Sequence, residues 1–592
     1  MVLIPLVEIA MRPLMGRGIE NASVLVQHLG LVLAMLGALS AERHGHLSSL
    51  GSGLASLGGV QFQGSVKFFA NASSALICGL LWHAGWRFVA TEIEANQTLA
   101  YGLPTWWIQL FMPLGFALLG LKLAARCAST HLQRAAMGFM LPCAGYALAW
   151  AAEGSALPMW PIAVWLLAVL LCGAPVFAVL GGLALALFWH DGQPMASVAL
   201  SHYQITVNPS LPALPLFTLA GLVFARTGAA RRLGAVFMSL FGGGVTGTVM
   251  AAGVLCSFFT AFTGGSGVTI LALGGLLLPL LRQSGMAEKR GISLVTSASA
   301  LGVLLAPSVP LIMYAIIARV PINTLFLAGI VPAVVMVVSL LVFGGYLRKS
   351  TSVQYGEISQ LTPAQTQALA VTAWDAKWEI LAPVIAIGSL VSGLATPTES
   401  AALTAAYAIA TQAFAHRELS WRSLGNCLAD CTRIIGGVML ILGMALGLTN
   451  YLVDSGLPND AIDWAQAVIP NKFVFLLLLN VFLLVAGSLM EIFAAIVFLV
   501  PLLLPVAMSY GIDPVHFGII FLANMEMGFL CPPAGMNIYF ASAMFGKSVR
   551  YVAASVLPAL MAILIGTLLI SWLPILSNGL PDLLSQKPVT GP

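Results

Sequence analysis

Charge is what this sequence has least of. Lys, Arg, Asp and Glu make up 8% of its 592 residues, against about 25% in ordinary globular domains. Walker A, HExxH and CxxC patterns are all missing, which removes P-loop nucleotide binding, zincin chemistry and paired-cysteine redox or zinc sites. The eight cysteines fall mostly inside apolar runs and read as small packing residues. No nucleic-acid module is present, and the net charge of +4 is carried by short loops, so nucleic acid is not an expected partner. The opening "MVLIPLVEIAMRPLM" lacks a basic n-region and a small-residue cleavage site; no cleaved signal is expected.

What remains is apolar. Hydrophobic residues form 59% of the chain, and runs of helix-spanning length recur, as at 160–188, 325–343 and from 472 onward. A span needs roughly 20 such residues, and about fifteen segments stand out in a sliding window, some too short or interrupted to cross. Barrel-type alternation is missing. The expected fold is an all-α polytopic membrane protein in contact with lipid.

Three parts follow in order. Residues 1–131 hold a small membrane module ending in the basic stretch "LKLAARCASTHLQR". Residues 132–157 carry one apolar segment, a joining helix. Residues 158–592 form a larger module with an internal repeat, about 160–347 and 376–575. "LGVLLAPSVPLIMYA" (301–315) aligns with "MGFLCPPAGMNIYFA" (527–541), Pro307 on Pro533, an offset of 533 − 307 = 226. The same offset carries Gly285 onto Gly511, Gly302 onto Gly528 and Pro332 onto Pro558. Gly and Pro matches matter most, because those residues dictate backbone shape.

Charge gives the relative orientation. Arg282, Lys289 and Arg290 flank a turn whose counterpart at 508–516 has no Lys or Arg, whereas Lys547 and Arg550 outnumber the single Arg319 of the other copy. Basic and non-basic ends have swapped, so the copies are expected to be inverted across the membrane, as in secondary transporters with a midplane site.

The repeat explains "TGGSGVT" (263–269), a poor helix former inside an apolar run. In hydrocarbon, non-helical backbone persists only where protein buries it or where it lines a cavity. Such breaks free carbonyls and helix ends for ions and substrate. Gly265 and Ser266, with the break at Gly302 and Pro307-Ser308, make one candidate ion site; "AGSLMEIF" (486–493) and "GFLCPPAGMN" (528–537) make its counterpart. Sodium suits carbonyl and hydroxyl oxygens without needing a carboxylate. The competing reading is packing glycine with a proline kink. Glu399, Glu491 and Glu526 are intramembrane carboxylates, a rare and usually functional class; buried structural pairing is their alternative. Asn524 and Asn537 can serve as interhelical bonds or as ligands.

These stretches resemble the membrane component of tripartite ATP-independent periplasmic (TRAP) transporters. "LPALPLFTLAG", "FTGGSGVTILALGG", "LGVLLAPSVPLIMY", "ATPTESAA", "GIDPVHFGI" and "NMEMGFLCPPAGMN" are similar to the large permease subunit over 158–578; "SAERHGHLSS" and "YGLPTWWIQLFMPLGFALLG" resemble the small one. The resemblance implies a fusion of the two in the bacterial inner (cytoplasmic) membrane, an elevator-type symporter with two re-entrant hairpins. It would be driven by Na+, with no ATP and no enzymatic activity, importing a small organic anion delivered by a periplasmic solute-binding protein. It also implies two or more sodium ions, held by Gly265, Ser266, Gly302 and Pro307, and by Ser488, Gly528 and Pro533 with Thr396 and Thr398 at the border. Ser266, Glu399, Glu491 and Asn537 are the candidate substrate contacts. The first copy departs from the family's double proline, with Ala306 before Pro307. The alternative functional reading is a stand-alone divalent-anion sodium symporter, against which the small N-terminal module speaks. An intramembrane enzyme is disfavoured by the lack of any catalytically spaced cluster.

Overall fold

The computed structural model describes residues 1–15, 18–44, 47, 60–127, 131–152, 158–242, 244–347, 369–532 and 535–585. Among them the chain is helical throughout; one isolated bridge, Thr98 with Pro104, is the only extended pairing. Among the described residues, eleven helices are long and apolar enough to cross a membrane, or twelve if the pair Ala213–Ala225 and Ala229–Phe241, bent by 75°, is counted as one span. The apolar stretches near 160–188 form two shorter helices, Met159–Leu171 and Val176–His190.

The chain divides into two compact units. The first comprises Met1–Pro215, Leu428–Asp463 and Phe493–Leu503. Small residues set its helix crossings. A β-carbon on Gly37, in helix Ala22–His44, would lie 2.9 Å from the Gly436 Cα, so these two backbones touch directly, as small residues allow in membrane helices. Gly79 of Val60–Ala95 meets Gly145 of the joining helix His131–Ala152 in the same way: a β-carbon on Gly79 would lie 3.0 Å from the Gly145 Cα. Polar contacts tie distant segments of this unit: Arg126 Nε pairs with buried Glu42 at 2.6 Å, and the His28 ring meets the Tyr203 hydroxyl at 2.8 Å.

The second unit comprises Leu216–Cys427, Trp464–Ile492 and Leu504–Pro592, and it carries both ends of the repeat. Helices start at Ser266 and Ile492, an offset of 492 − 266 = 226, and the helices before them stop at Thr263 and Leu489 with the same offset. Gly285 and Gly511 both have positive φ, +97° and +71°, a turn geometry glycine adopts without strain. Past the second broken stretch the offset becomes 227: left-handed caps fall at Arg319 and Gly546, and the next helices begin at Ile322 and Val549. The copies are thus equivalent in backbone up to the break and differ by one residue after it. Pro533 and Ala534, within the second break, lie outside the described residues.

Candidate functional site

The first break is made by two glycines. Gly264 has φ +68°, and Gly265, extended at φ −151°, caps helix Ser266–Gln283. Ser266 is therefore the first residue of that helix, where amides lack intrahelical partners and the dipole is positive. Its buried hydroxyl donates to Asn537 Oδ1 at 2.7 Å, which leaves Asn537 Nδ2 buried and without a hydrogen-bond partner. Asn537 is in turn the second residue of helix Met536–Phe545. Two helix starts from opposite copies therefore meet through their side chains.

The helix opposite breaks by a different device. Glu288–Leu301 passes into a 3₁₀ turn, Gly302–Leu304, and then an extended Leu305. A β-carbon on Gly302 would overlap the Ser257 carbonyl oxygen and lie 2.6 Å from Thr260 Cβ. Pro307 sits between this turn and Ser308, which accepts from the Leu311 amide and caps Val309–Ala318. The glycine tip leans on that cap, with a β-carbon on Gly264 only 2.8 Å from Val309 Cγ2. Gly265, Ser266, Gly302 and Pro307 therefore belong to one packed neighbourhood.

Hydroxyls that the sequence reading passed over line the same neighbourhood. Thr260 Oγ1 lies 2.9 Å from the Ser299 carbonyl and 2.7 Å from Thr269 Oγ1, which can donate to it. Thr263 lies 3.1 Å from Thr269, and Ser257 donates to the Ala298 carbonyl at 3.1 Å. Ser and Thr in helices commonly bond back to the i−4 carbonyl, and for both Ser257 and Thr260 that carbonyl, at 3.0 Å, competes for the one hydroxyl proton. That habit hides them from a sequence reading; their clustering on one helix face was the available signal.

In the second copy, the helix Lys472–Leu489 ends just before Met490 and Glu491, and Ile492–Ser509 begins after them. Glu491 is half-buried in that gap. Gly528, at the end of Pro514–Gly528, packs on the Gly487–Ser488 backbone, where a β-carbon on it would lie 2.8 Å from the Ser488 amide nitrogen. Ser488 and Gly528 are thus together, although the Ser488 hydroxyl bonds the Val485 carbonyl at 2.7 Å. Thr396 and Thr398 begin helix Pro397–Ala410, and Thr396 forms a capping box with Glu399. The Glu399 carboxylate accepts from the Thr396 amide at 2.8 Å, and the Glu399 amide donates to Thr396 Oγ1 at 3.3 Å. Both residues have a local structural task. Asn524 is an interhelical bond: its Nδ2 donates to Asn480 Oδ1 at 2.8 Å.

A further polar cluster joins residues far apart in sequence. Arg232 donates to Glu379 at 2.7 Å and to Glu418 at 2.8 Å, and Gln412 donates to Glu379 at 2.9 Å. Burial works to raise the Glu418 carboxyl, but the hydrogen bonds from Arg232 and the Gly228 amide, with the Arg232 charge, hold it below the ordinary carboxylate value. No group of three or more His, Cys, Asp or Glu able to hold a metal ion occurs among the described residues.

Two family profiles match the chain. The tripartite ATP-independent periplasmic transporter, DctM component, matches residues 163–576, and the corresponding DctQ component matches residues 1–133. The isethionate TRAP transporter permease protein DctMQ of Oleidesulfovibrio alaskensis is 32% identical over 403 residues, 68% of this chain and 63% of that one. The match thus spans just under two thirds of that relative's own length. The C4-dicarboxylate TRAP transporter large permease protein DctM of Rhodobacter capsulatus is 30% identical over 436 residues, 71% of this chain and 98% of that one. The sialic acid TRAP transporter large permease protein SiaM of Vibrio cholerae is 30% identical over 382 residues, 64% and 87% of the two chains.

Proposed function

The chain belongs to the tripartite ATP-independent periplasmic transporter family, a fused permease with small and large components in one bacterial inner-membrane protein, and from that premise we propose that it is a sodium-coupled symporter. Its cargo is a small organic anion, handed over by a periplasmic solute-binding protein. The observation that carries the reading is the meeting of Ser266 and Asn537, two helix starts from opposite copies with a buried amide donor left over.

Asn537 Nδ2 and the positive ends of two helices favour an anionic group. The carbonyls of the glycine tip and the hydroxyls around Thr260 offer oxygen ligands to a cation such as sodium. Holding both charges in adjacent pockets makes each stabilise the other, which is the coupling a symporter needs. Relatives named for isethionate, C4-dicarboxylate and sialic acid transport share an acidic group, and the cargo here is assigned to that class. The inverted charge pattern of the copies supports an elevator in which the broken helices travel as one body. Glu399 and Glu491 border the path, and Gly265, Ser266, Gly302, Pro307, Ser488, Gly528, Pro533, Thr396 and Thr398 remain the proposed sodium neighbourhoods.

The test is uptake into proteoliposomes under an imposed inward sodium gradient, with candidate organic acids and with or without a cognate binding protein. Uptake that needs both sodium and the binding protein is expected. Robust uptake without any binding protein would favour the stand-alone symporter, and uptake indifferent to sodium would overturn the coupling.

A further inference from the structure

The helix that leads into the first hairpin is tied down at its root. Ala229–Phe241 starts from Gly228, where the chain bends by 75° out of Ala213–Ala225. One turn in, Arg232 turns its whole guanidinium toward other segments. Nε and Nη2 donate to Glu379 Oε1 at 2.9 and 2.7 Å, Nη2 also donates to Gln412 Oε1 at 2.8 Å, and Nη1 donates to Glu418 Oε1 at 2.8 Å. The second Glu418 oxygen accepts from the Gly228 amide at 2.6 Å, one of the donors that a helix start leaves open. A β-carbon on Gly228 would lie 2.8 Å from Glu418 Oε1, so glycine makes room for that carboxylate. The Arg232 and Glu379 side chains are 13% and 1% exposed, and a pair this buried is costly to break, because the partner left behind keeps an uncompensated charge.

The rest of that helix backs the hairpin. A β-carbon on Gly234 would lie 3.4 Å from Leu255 Cδ2. The Phe237 and Phe258 rings are 5.9 Å apart, and Phe258 in turn lies 5.4 Å from Phe262. Leu255, Phe258 and Phe262 follow i, i+3, i+7 spacing and so share one face of helix Gly244–Thr263. Ser257 and Thr260 fall on the other face, 3.1 Å from the Ala298 carbonyl and 2.9 Å from the Ser299 carbonyl. The hairpin helix is thus held between a clamped helix and the hydroxyl-lined neighbourhood of the first break. The repeat is asymmetric here. The corresponding helix of the second copy, Leu457–Val468, starts 457 − 229 = 228 positions later, and the exposed Asp460 stands where the first copy has Arg232.

We propose that Arg232 is a positioning residue: by bridging Glu379 and Glu418 it fixes the helix on which the first hairpin rests, and so sets where Thr260, Thr263 and the glycine tip lie, without touching ion or cargo. This holds whichever ligands the break takes, so it stands apart from the sodium reading. The bridging geometry matters, not the charge alone. A lysine keeps the charge, but its single ammonium lacks the planar fork that reaches both carboxylates and Gln412.

The experiment is hydrogen–deuterium exchange, followed by mass spectrometry, on the purified full chain in detergent; it needs neither substrate nor binding protein. Arg232→Lys is expected to speed amide exchange about tenfold across 250–265, the scale of one charge-assisted hydrogen bond. Exchange across 472–492, in the second hairpin, should stay at the wild-type rate. Gly228→Ala crowds Glu418 off its seat while leaving Arg232 in place. It should act in the same direction, and it carries the test should Arg232→Lys yield no folded protein. Faster exchange confined to the segments that touch Arg232, 377–381 and 411–418, would overturn the positioning role. Faster exchange in both hairpins alike, the mark of general destabilisation, would overturn it too. Unchanged exchange throughout would overturn the clamp itself.

Discussion

Ser266 and Asn537, 271 positions apart, share a buried hydrogen bond of 2.7 Å between the first turns of two helices. Neither hydroxyl nor amide is needed to start its own helix, since Gly265 caps the one and Gly535 the other. The bond instead fixes one helix start against the other, and it leaves one amide donor to spare.

Ser266→Ala should therefore raise the sodium concentration for half-maximal uptake on the order of ten- to a hundredfold, with the maximal rate less affected. Asn537→Ala should chiefly weaken the organic anion. Because the side chains touch, the double variant should lose less than the sum of the singles. Strict additivity in the uptake assay would show that the bond does not link the two ligands.

Glu491→Gln should depress uptake more than Glu153→Gln at equal expression. Glu491 occupies the gap between Leu489 and Ile492; Glu153 belongs to the joining segment and lies outside the described residues. Equal rates for the two variants would take Glu491 out of the transport path.

Thr396→Ala separates two roles. As a helix cap, its loss should cost about 1 kcal/mol of stability and lower the melting temperature by a small amount that sodium does not change. As a sodium ligand, its loss should shift the sodium midpoint. A sodium-independent loss alone would leave Thr396 a cap and nothing more, and a midpoint shift in a sodium titration of thermal unfolding would place it at the ion site as well.

Gly302→Ala is expected to be severe, because its β-carbon meets the Ser257 carbonyl and so backbone must move. Gly388→Ala, in helix Lys377–Val391 with open space around it, should be neutral or slightly stabilising by helix propensity. Yield of monodisperse protein and its melting temperature compare the two directly.

The Glu418 carboxyl is held below its ordinary value of 4.5. A depressed carboxyl contributes stability that is complete above the unfolded value and lost as pH falls through the lower folded value. Thermal stability should accordingly drop below about pH 4.5 in wild type, and Glu418→Gln should start lower and fall less steeply over that window. Parallel pH profiles for the two proteins would remove Glu418 from the acid response.

Both breaks were legible because glycine and proline act on the chain locally. "GGSG" had to interrupt a helix, and the copied spacing put a second interruption near 490. The T-x-x-E spacing of Thr396 and Glu399 also carries a capping signature, which the rarity of intramembrane carboxylates outweighed in the sequence reading. The hydroxyl cluster was only partly legible: Thr260 and Thr263 share one helix face, but helical Ser and Thr satisfy themselves readily and Thr269 comes from the next helix. The Arg232–Glu379–Glu418 cluster was not legible. Its members are separated by 147 and 186 positions, and nothing local marks them as partners. The single-residue slip from 226 to 227 needed helix ends to become visible.

The direct approach of Gly37 to Gly436 carries a last consequence. Two glycines let the backbones touch, and the close packing this gives attracts only where the two helices are correctly aligned. Two independent polypeptides would have to reach that alignment by lateral diffusion and then retain it. A covalent link turns the same encounter into an intramolecular one, at an effective concentration on the order of millimolar for short linkers. Joining the modules through His131–Ala152 therefore relaxes what the contact itself must supply, and a chain cut between the modules should reassemble in a way that depends on its dilution in lipid.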